Sequence, residues 1–206
     1  MKLLSALILL FLHSNLFSQT KFKIVSTETN DSIGHFYLKK QNDKKHKILN
    51  KDLYLFSPFS SKYGYFAVVS RKDFNGWAAI DFNENILFSV YNAANSEPNP
   101  DKLIENKIRI IDANNKIGFA DKFGKIVIKP QYESVTSFHN GKAIIADECS
   151  KVFWDNNSHT DGYEHYSIQC KNHGYIDKSG KIIKFGQYSF DEIQKQINWK
   201  PSRKME

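Results

Sequence analysis

The sequence predicts an all-β protein, an array of about three antiparallel β-hairpin repeats followed by a short C-terminal helix. Three observations carry this expectation. The stretch Gly118-Phe119-Ala120-Asp121-Lys122-Phe123-Gly124-Lys125-Ile126-Val127-Ile128 returns as Gly174-Tyr175-Ile176-Asp177-Lys178-Ser179-Gly180-Lys181-Ile182-Ile183-Lys184. Each copy is built around turn residues and a β-branched run, not around a helical period. A capping-box signature, Ser189-Phe190-Asp191-Glu192, stands ahead of Ile193 and Ile197 near the C-terminus. Composition agrees: with 206 residues, 41% of them apolar and 25% charged, the chain is globular, which excludes disorder, collagen and coiled coil. A chain of this length buries roughly 70% of its unfolded surface and needs no metal to hold a core.

Residues 1–18 read as a secretory signal peptide: Lys2 precedes the apolar run Leu3 to Leu12, and His13 to Asn15 lead to cleavage after Ser18. The run is too short to span a bilayer, and no other segment is longer, so the mature chain is expected to have no transmembrane span. No cysteine lies near the cut, which excludes a lipid anchor there. The protein is therefore expected to be secreted or periplasmic. Residues 19–49 read as N-terminal strands or a degenerate repeat. Net charge is +7, or +6 once Lys2 is removed. The densest basic stretch is Lys39, Lys40, Lys44, Lys45, Lys47 and Lys51. Anionic glycan, lipid headgroups or nucleic acid would meet it by Coulomb attraction, but a solvated hairpin tip accounts for it equally. Nucleic acid is set aside, because the stretch lacks the arginines and interleaved aromatics that read bases.

The repeat domain is expected over residues 50–188. A weaker copy of the pattern, Ala78-Ala79-Ile80-Asp81-Phe82-Asn83-Glu84-Asn85-Ile86-Leu87-Phe88, follows Trp77. An eroded earlier copy begins at Gly34-His35-Phe36-Tyr37, with Leu53 to Val69 as its second half. In each unit the aspartate, Asp81, Asp121 or Asp177, takes the first turn position, where a short acceptor bonds backbone N–H groups two residues on. Gly124 and Gly180 supply the left-handed residue that closes a type I turn with a bulge. Pro130 is expected to end its strand. Tyr132 to Phe138 and Ala143 to Ala146 then read as strands joined at His139-Asn140-Gly141, a strong hairpin signal.

Spacing locates an insertion. Asp81 and Asp121 are 40 positions apart, Asp121 and Asp177 are 56 apart, and the excess falls between Ile145 and Ile168. An inserted loop is expected at 147–167, flanked by Cys149 and Cys170, the two cysteines of the chain. An even count in an exported protein favours a single disulfide, with two free thiols as the alternative. Insertions into repeat arrays emerge on one face and often bind. The candidate binding residues are Trp154, Asp155, Asn157, His159, Asp161, Tyr163, Glu164 and Tyr166, whose rings stack on sugars while their polar groups bond hydroxyls. A polar surface loop whose rings pack onto the sheet is the alternative.

Metal chemistry is not expected. Cys149, His159, His165, Cys170 and His173 fit no standard zinc spacing, and aligning Gly162 with the glycine of a calcium loop puts Ile168 where a bidentate Glu belongs. No catalytic motif is present, and no cofactor is expected.

The units resemble the bacterial WG-repeat family, in which W-G-[YF]-I-D-x-x-G-x-[IV]-[VI]-x-P-x-[YF] is followed by F-x-x-G-x-A-x-V. The second unit carries Gly118, Phe119, Asp121, Gly124, Ile126, Val127, Pro130, Tyr132, Phe138, Gly141 and Ala143. Trp77-Ala78, Ile117-Gly118 and His173-Gly174 stand where the family has Trp-Gly. The resemblance implies a β-rich, often exported repeat protein that binds other molecules.

The last segment, 189–206, is expected to be a capping helix and tail, with Phe190, Ile193 and Ile197 covering the open end of the array. The sequence as a whole points to an exported, non-catalytic binding or scaffolding module for a glycan or protein partner in the cell envelope. A hydrolase acting on envelope polymers is the runner-up.

Overall fold

The structure, a computed structural model, describes residues 20–29, 32–44, 46–50, 52–56, 62–93, 99–153 and 166–201. The expected signal peptide lies outside the described residues. Among the described residues the fold is mostly β, with one short helix. An N-terminal sheet contains β1 (Phe22–Thr29), β2 (Ser32–Lys40) and β3 (His46–Ile48). The seven-stranded sheet that follows runs in chain order through β4 (Tyr54–Phe56), β5 (Ala67–Arg71), β6 (Trp77–Ile80), β7 (Ile86–Val90), β8 (Lys107–Ile111), β9 (Ile117–Asp121) and β10 (Ile126–Tyr132). The four-stranded sheet contains β11 (Ser134–Val135), β12 (Lys142–Phe153), β13 (Tyr166–Asp177) and β14 (Ile182–Gly186), and α1 (Phe190–Ile197) follows it. Every strand pair is antiparallel and sequential. Short turns between neighbours are what make such a meander.

The core runs through the array as a series. Alternation along β6 sends Ala78 and Ile80 into a cluster with Phe22, Ile24, Leu38, Leu49, Tyr54 and Val69. Trp77 and Ala79, on the opposite face, join Phe88, Val90, Ile108, Ile110 and Ala120. Along β9, Ile117 and Phe119 point the other way from Ala120, into a third cluster with Ile128, Tyr132, Val135, Phe138, Ala143, Ile145 and Ile176. Ile144 and Tyr175 leave that cluster to meet Ile193, Ile197 and Trp199 at the helix. The central strands are thus buried on both faces, which is why WAAI and IGFA show no apolar–polar alternation. Each fully buried Ile, Leu or Phe contributes about 1.5–3 kcal/mol of transfer free energy.

Among the described residues four turns, one more than the recurring motif marks, share the same hydrogen bonds. Asp81 Oδ1 accepts from Asn83 N and Asn85 N, Asp112 Oδ1 from Asn114 N and Lys116 N, Asp121 Oδ1 from Phe123 N and Lys125 N, and Asp177 Oδ1 from Ser179 N and Lys181 N, all at 2.8–3.1 Å. The third residue after each aspartate is left-handed: Glu84 (φ 70), Asn115 (φ 59), Gly124 (φ 82) and Gly180 (φ 86). Three of these turns rest on the unit before. Tyr54 Oη donates to Glu84 Oε2 at 2.7 Å, Gly124 lies against Leu87 and Phe66, and Gly180 lies against Ile128 while its carbonyl accepts from Tyr132 Oη at 3.3 Å.

Several expectations are corrected. Pro130 lies inside β10 and does not end it: the register moves from Ile128↔Phe119 to Tyr132↔Ile117 across the proline. A terminal strand of its sheet tolerates the missing N–H through such an irregularity. Of residues 132–138 only Ser134–Val135 form a separate strand. The Asn140-Gly141 turn has φ 50 and 76, the double left-handed geometry of a tight hairpin, and Glu105-Asn106 repeats it with φ 48 and 62. The expected loop at 147–167 is strand at both ends, because β12 and β13 continue through 142–153 and 166–177.

Candidate functional site

The insertion is a β-arm. The hairpin β8–β9 closes at the Asp112 turn, but the corresponding β12–β13 pair stays in register from Lys142↔Asp177 out to Phe153↔Tyr166. Cys149 and Cys170 are directly opposed on it and joined by a disulfide with S–S 2.05 Å. Because side chains alternate, the disulfide, the Lys151–Ile168 pair and the Phe153–Tyr166 pair share one face. That face is apolar and accessible: Phe153 is 49% and Ile168 47% exposed. Phe153 and Tyr166 meet edge to face at 5.9 Å, and Lys151 Nζ lies 4.2 Å from the centroid of the Tyr166 ring.

The root of the arm is fixed by charge and backbone geometry. Glu148 has φ 51, rare for a non-glycine residue and a bend in the strand. Its carboxylate bonds Lys171 Nζ and Asn172 Nδ2, both at 2.9 Å, and these two partners hold its carboxyl below the usual carboxylate range. The next amide, Cys149 N, donates to Glu133 Oε2 at 2.9 Å, while Lys116 Nζ reaches Glu133 Oε1 at 3.1 Å. The Cys149 amide first, then Lys116, lower the Glu133 carboxyl against the opposing effect of burial. One carboxylate thereby ties the arm to the preceding unit.

Beside this root lies a cleft of about 190 Å³ lined by Gln131, Tyr132, Glu133, Ile145, Ala146, Asp147, Ile182 and Phe185. It offers apolar walls with two carboxylates at the rim. Glu133 is held ionised there, the direction that suits charge pairing, whereas a general acid needs a raised carboxyl. Among the described residues no group of three or more His, Cys, Asp or Glu side chains is placed to hold a metal ion. Among them, too, no helix is long and apolar enough to cross a membrane.

Of the candidate residues read from the sequence, Tyr166 is the first residue of β13 and Cys149 and Cys170 are bonded to each other. Trp154, Asp155, Asn157, His159, Asp161, Tyr163 and Glu164 lie outside the described residues. Sequence reasoning missed Phe153, Lys151, Ile168, Glu133 and Glu148. The alternation Cys149, Lys151, Phe153 was the signal available for two of them. Nothing local marks Glu133 as the partner of an amide 16 residues on.

No curated protein and no solved structure matches the chain. A family model described as WG containing repeat matches residues 117–146, which run from the start of β9, through the Asp121 turn, to the buried stretch of β12. Within it Gly118 stands where an added Cβ would lie 2.4 Å from the Ile128 carbonyl oxygen, so the strand crossing of this unit requires glycine. The matched segment holds the Asp121 turn, the Asn140-Gly141 hairpin and this glycine, and over residues 117–146 the chain is similar to the WG containing repeat.

Proposed function

We propose that this protein is an exported, non-catalytic binding module whose β12–β13 arm meets a glycan or protein partner in the cell envelope. One observation carries the reading. The array repeats a common hairpin, and in one unit the hairpin is lengthened, braced by a disulfide and faced with Phe153, Tyr166 and Ile168. An accessible apolar face on an ordered arm has no role in a core, and a pre-ordered contact element lowers the entropy lost on association. Export is supported by the signal-like residues 1–18 and by the disulfide, which persists in oxidising compartments.

Titration of the purified protein with glycans and envelope fractions, followed by mass spectrometry of the ligand, tests the reading. Binding without product is expected. Replacing Phe153 and Tyr166 by alanine, or Trp154 and Tyr163, should weaken binding. Unchanged binding in both variants refutes the arm, and hydrolysed product would give the hydrolase reading in its place.

A further inference from the structure

We infer that the outward face of the N-terminal sheet is a second binding surface, one that takes an acidic polysaccharide. Its construction follows from pairing. Phe22 forms a two-bond antiparallel bridge with Gly64, at 2.8 and 2.9 Å, and Phe22 points inward, 1% exposed. Its neighbours Lys21 and Lys23 therefore point outward, opposite Tyr65 and Tyr63. Lys21 Nζ lies 5.2 Å from the Tyr65 ring centroid and Lys23 Nζ 5.1 Å from that of Tyr63. Register carries the face across the sheet: Lys23 is opposed by Lys39, and Lys39 by His46. Tyr63, Lys23, Lys39 and His46 form a single cross-strand row. Tyr37 packs on His46 at 4.6 Å beside it, and Phe123, from the Asp121 turn, extends the other end by meeting Tyr65 at 5.0 Å.

The same alternation divides the basic stretch of the sequence. Lys40 and Lys47 face the other way, over the Phe82 ring at 4.4 Å and onto Glu84 at 2.6 Å, and are spent on the fold. Lys23 also lies over a ring, that of Tyr63, but on the outward face. Neither Lys23 nor Lys39 makes an ion pair with an acidic side chain among the described residues, and they stand directly opposite each other, an arrangement that repels. A sheet gains nothing from that pair; a polyanion lying along the row does. Lysine ammoniums lying over tyrosine rings still have N–H donors to spare for carboxylates, and the partly exposed rings offer apolar faces to pyranose CH groups. Among the described residues no arginine lies on this face to grip phosphates bidentately, which favours carboxylate-bearing sugar over nucleic acid.

The test is affinity electrophoresis of the full chain in gels containing polygalacturonate, with neutral dextran as control. Polygalacturonate should retard the protein and dextran should not. The variant K23Q/K39Q should bind about tenfold more weakly, with a thermal midpoint no lower than that of the parent because a repulsive pair is gone. The arm variant F153A/Y166A should be retarded as the parent is, so failure here and failure of the arm reading are distinguishable. The inference is overturned if the parent is not retarded or if K23Q/K39Q is retarded equally. Tighter binding to phosphatidylglycerol vesicles or to single-stranded DNA than to polygalacturonate, at matched salt, overturns it as well.

Discussion

Asp112 and Asp121 sit at opposite ends of β9 and make the same turn. Oδ1 of each accepts from the amides two and four residues on, at 2.9 and 2.8 Å for Asp112 and at 2.9 Å in both bonds for Asp121. One strand is thus bounded by two copies of one carboxylate device, although only the second belongs to the recurring motif. Charge-assisted bonds to two amides imply that Asp121→Ala and Asp112→Ala each lower stability by about 1–3 kcal/mol, read from urea unfolding. Asparagine keeps one acceptor oxygen, so Asp121→Asn should lose less. Equal losses from Ala and Asn would mean that a neutral acceptor cannot replace the carboxylate, and no loss from either would mean that the amide bonds do not matter.

Two glycines with different duties separate in the same assay. Gly124 needs its positive φ, and an alanine there costs about 1–2 kcal/mol. Gly174 has no positive φ, but an added Cβ would sit 2.0 Å from the Lys184 carbonyl oxygen, and that contact involves backbone that cannot swing aside. Gly174→Ala should therefore be the more damaging, enough to part β13 from β14, with loss of amide protection in 182–186 as the readout.

These turns show why much of the fold was legible. A short acceptor, a left-handed residue and a β-branched run are local, and local chemistry is written in adjacent residues. Asp112 is less legible because neither a tryptophan nor a glycine-aromatic pair precedes it and because the strand after it is shared with the recurring motif. Pro130 misled for a related reason: whether a missing N–H ends a strand depends on what lies beside it, and that is set by the neighbouring unit. The arm was seen as an interval of excess residues and two cysteines, but its root was not. Glu133 and Cys149 are brought together by the packing of β10, β11 and β12, not by neighbouring residues.

That root should govern the arm separately from the frame. Removing the disulfide with Cys149→Ser and Cys170→Ser releases a constraint of about 3 kcal/mol in the chain-entropy model, an upper value because the ladder beneath it remains. Amide exchange should rise in 147–153 and 166–172 while 117–121 stays protected. Glu133→Ala should produce the same local pattern with the disulfide intact. Uniform loss of protection across the chain would show that the arm and frame unfold together.

Titration of the paired carboxylates sets an acid limit. Glu133, Glu148, Asp177 and Glu192 all titrate below their ordinary values. For Asp177 the Ser179 hydroxyl leads, against opposing burial, and for Glu192 the Ser189 amide leads, followed by its hydroxyl. A carboxyl depressed by folding stabilises above its unfolded pKa of about 4 and loses that contribution as pH falls through the folded value. Stability should be flat between about pH 5 and 8 and fall below about pH 4. At the alkaline end, burial first and then Glu84 push the Tyr54 phenol well above its usual range. Its neutral form is the folded one, so stability should decline above about pH 10, where the unfolded phenol ionises. Tyr54→Phe should remove part of that alkaline decline in thermal melts, and an unchanged alkaline limb would assign it elsewhere.

The helix that closes the array is held by packing more than by its own propensity. Its eight residues are too few to be stable alone, even with a complete capping box: Ser189 Oγ accepts from Glu192 N at 3.2 Å and Glu192 Oε2 accepts from Ser189 N at 2.7 Å. Ile193 is fully buried and Ile197 nearly so, against Ile144 and Tyr175, whereas Phe190 stays 37% exposed and meets His173 and Trp199 in T-shaped ring contacts. Trp199, beyond the left-handed Asn198, turns back under the sheet and donates Nε1–H to the Ser137 carbonyl at 2.8 Å. The expected order of damage is therefore Ile193→Ala at about 2–5 kcal/mol, Ser189→Ala at about 1 kcal/mol, and Phe190→Ala least of the apolar changes. Trp199→Phe tests the bond separately, because it keeps most of the ring and loses the donor, leaving the Ser137 carbonyl to water at a cost near 1 kcal/mol. If Phe190→Ala proved as damaging as Ile193→Ala, the helix would be docking through its first turn, and the face assigned to Ile193 and Ile197 would be wrong.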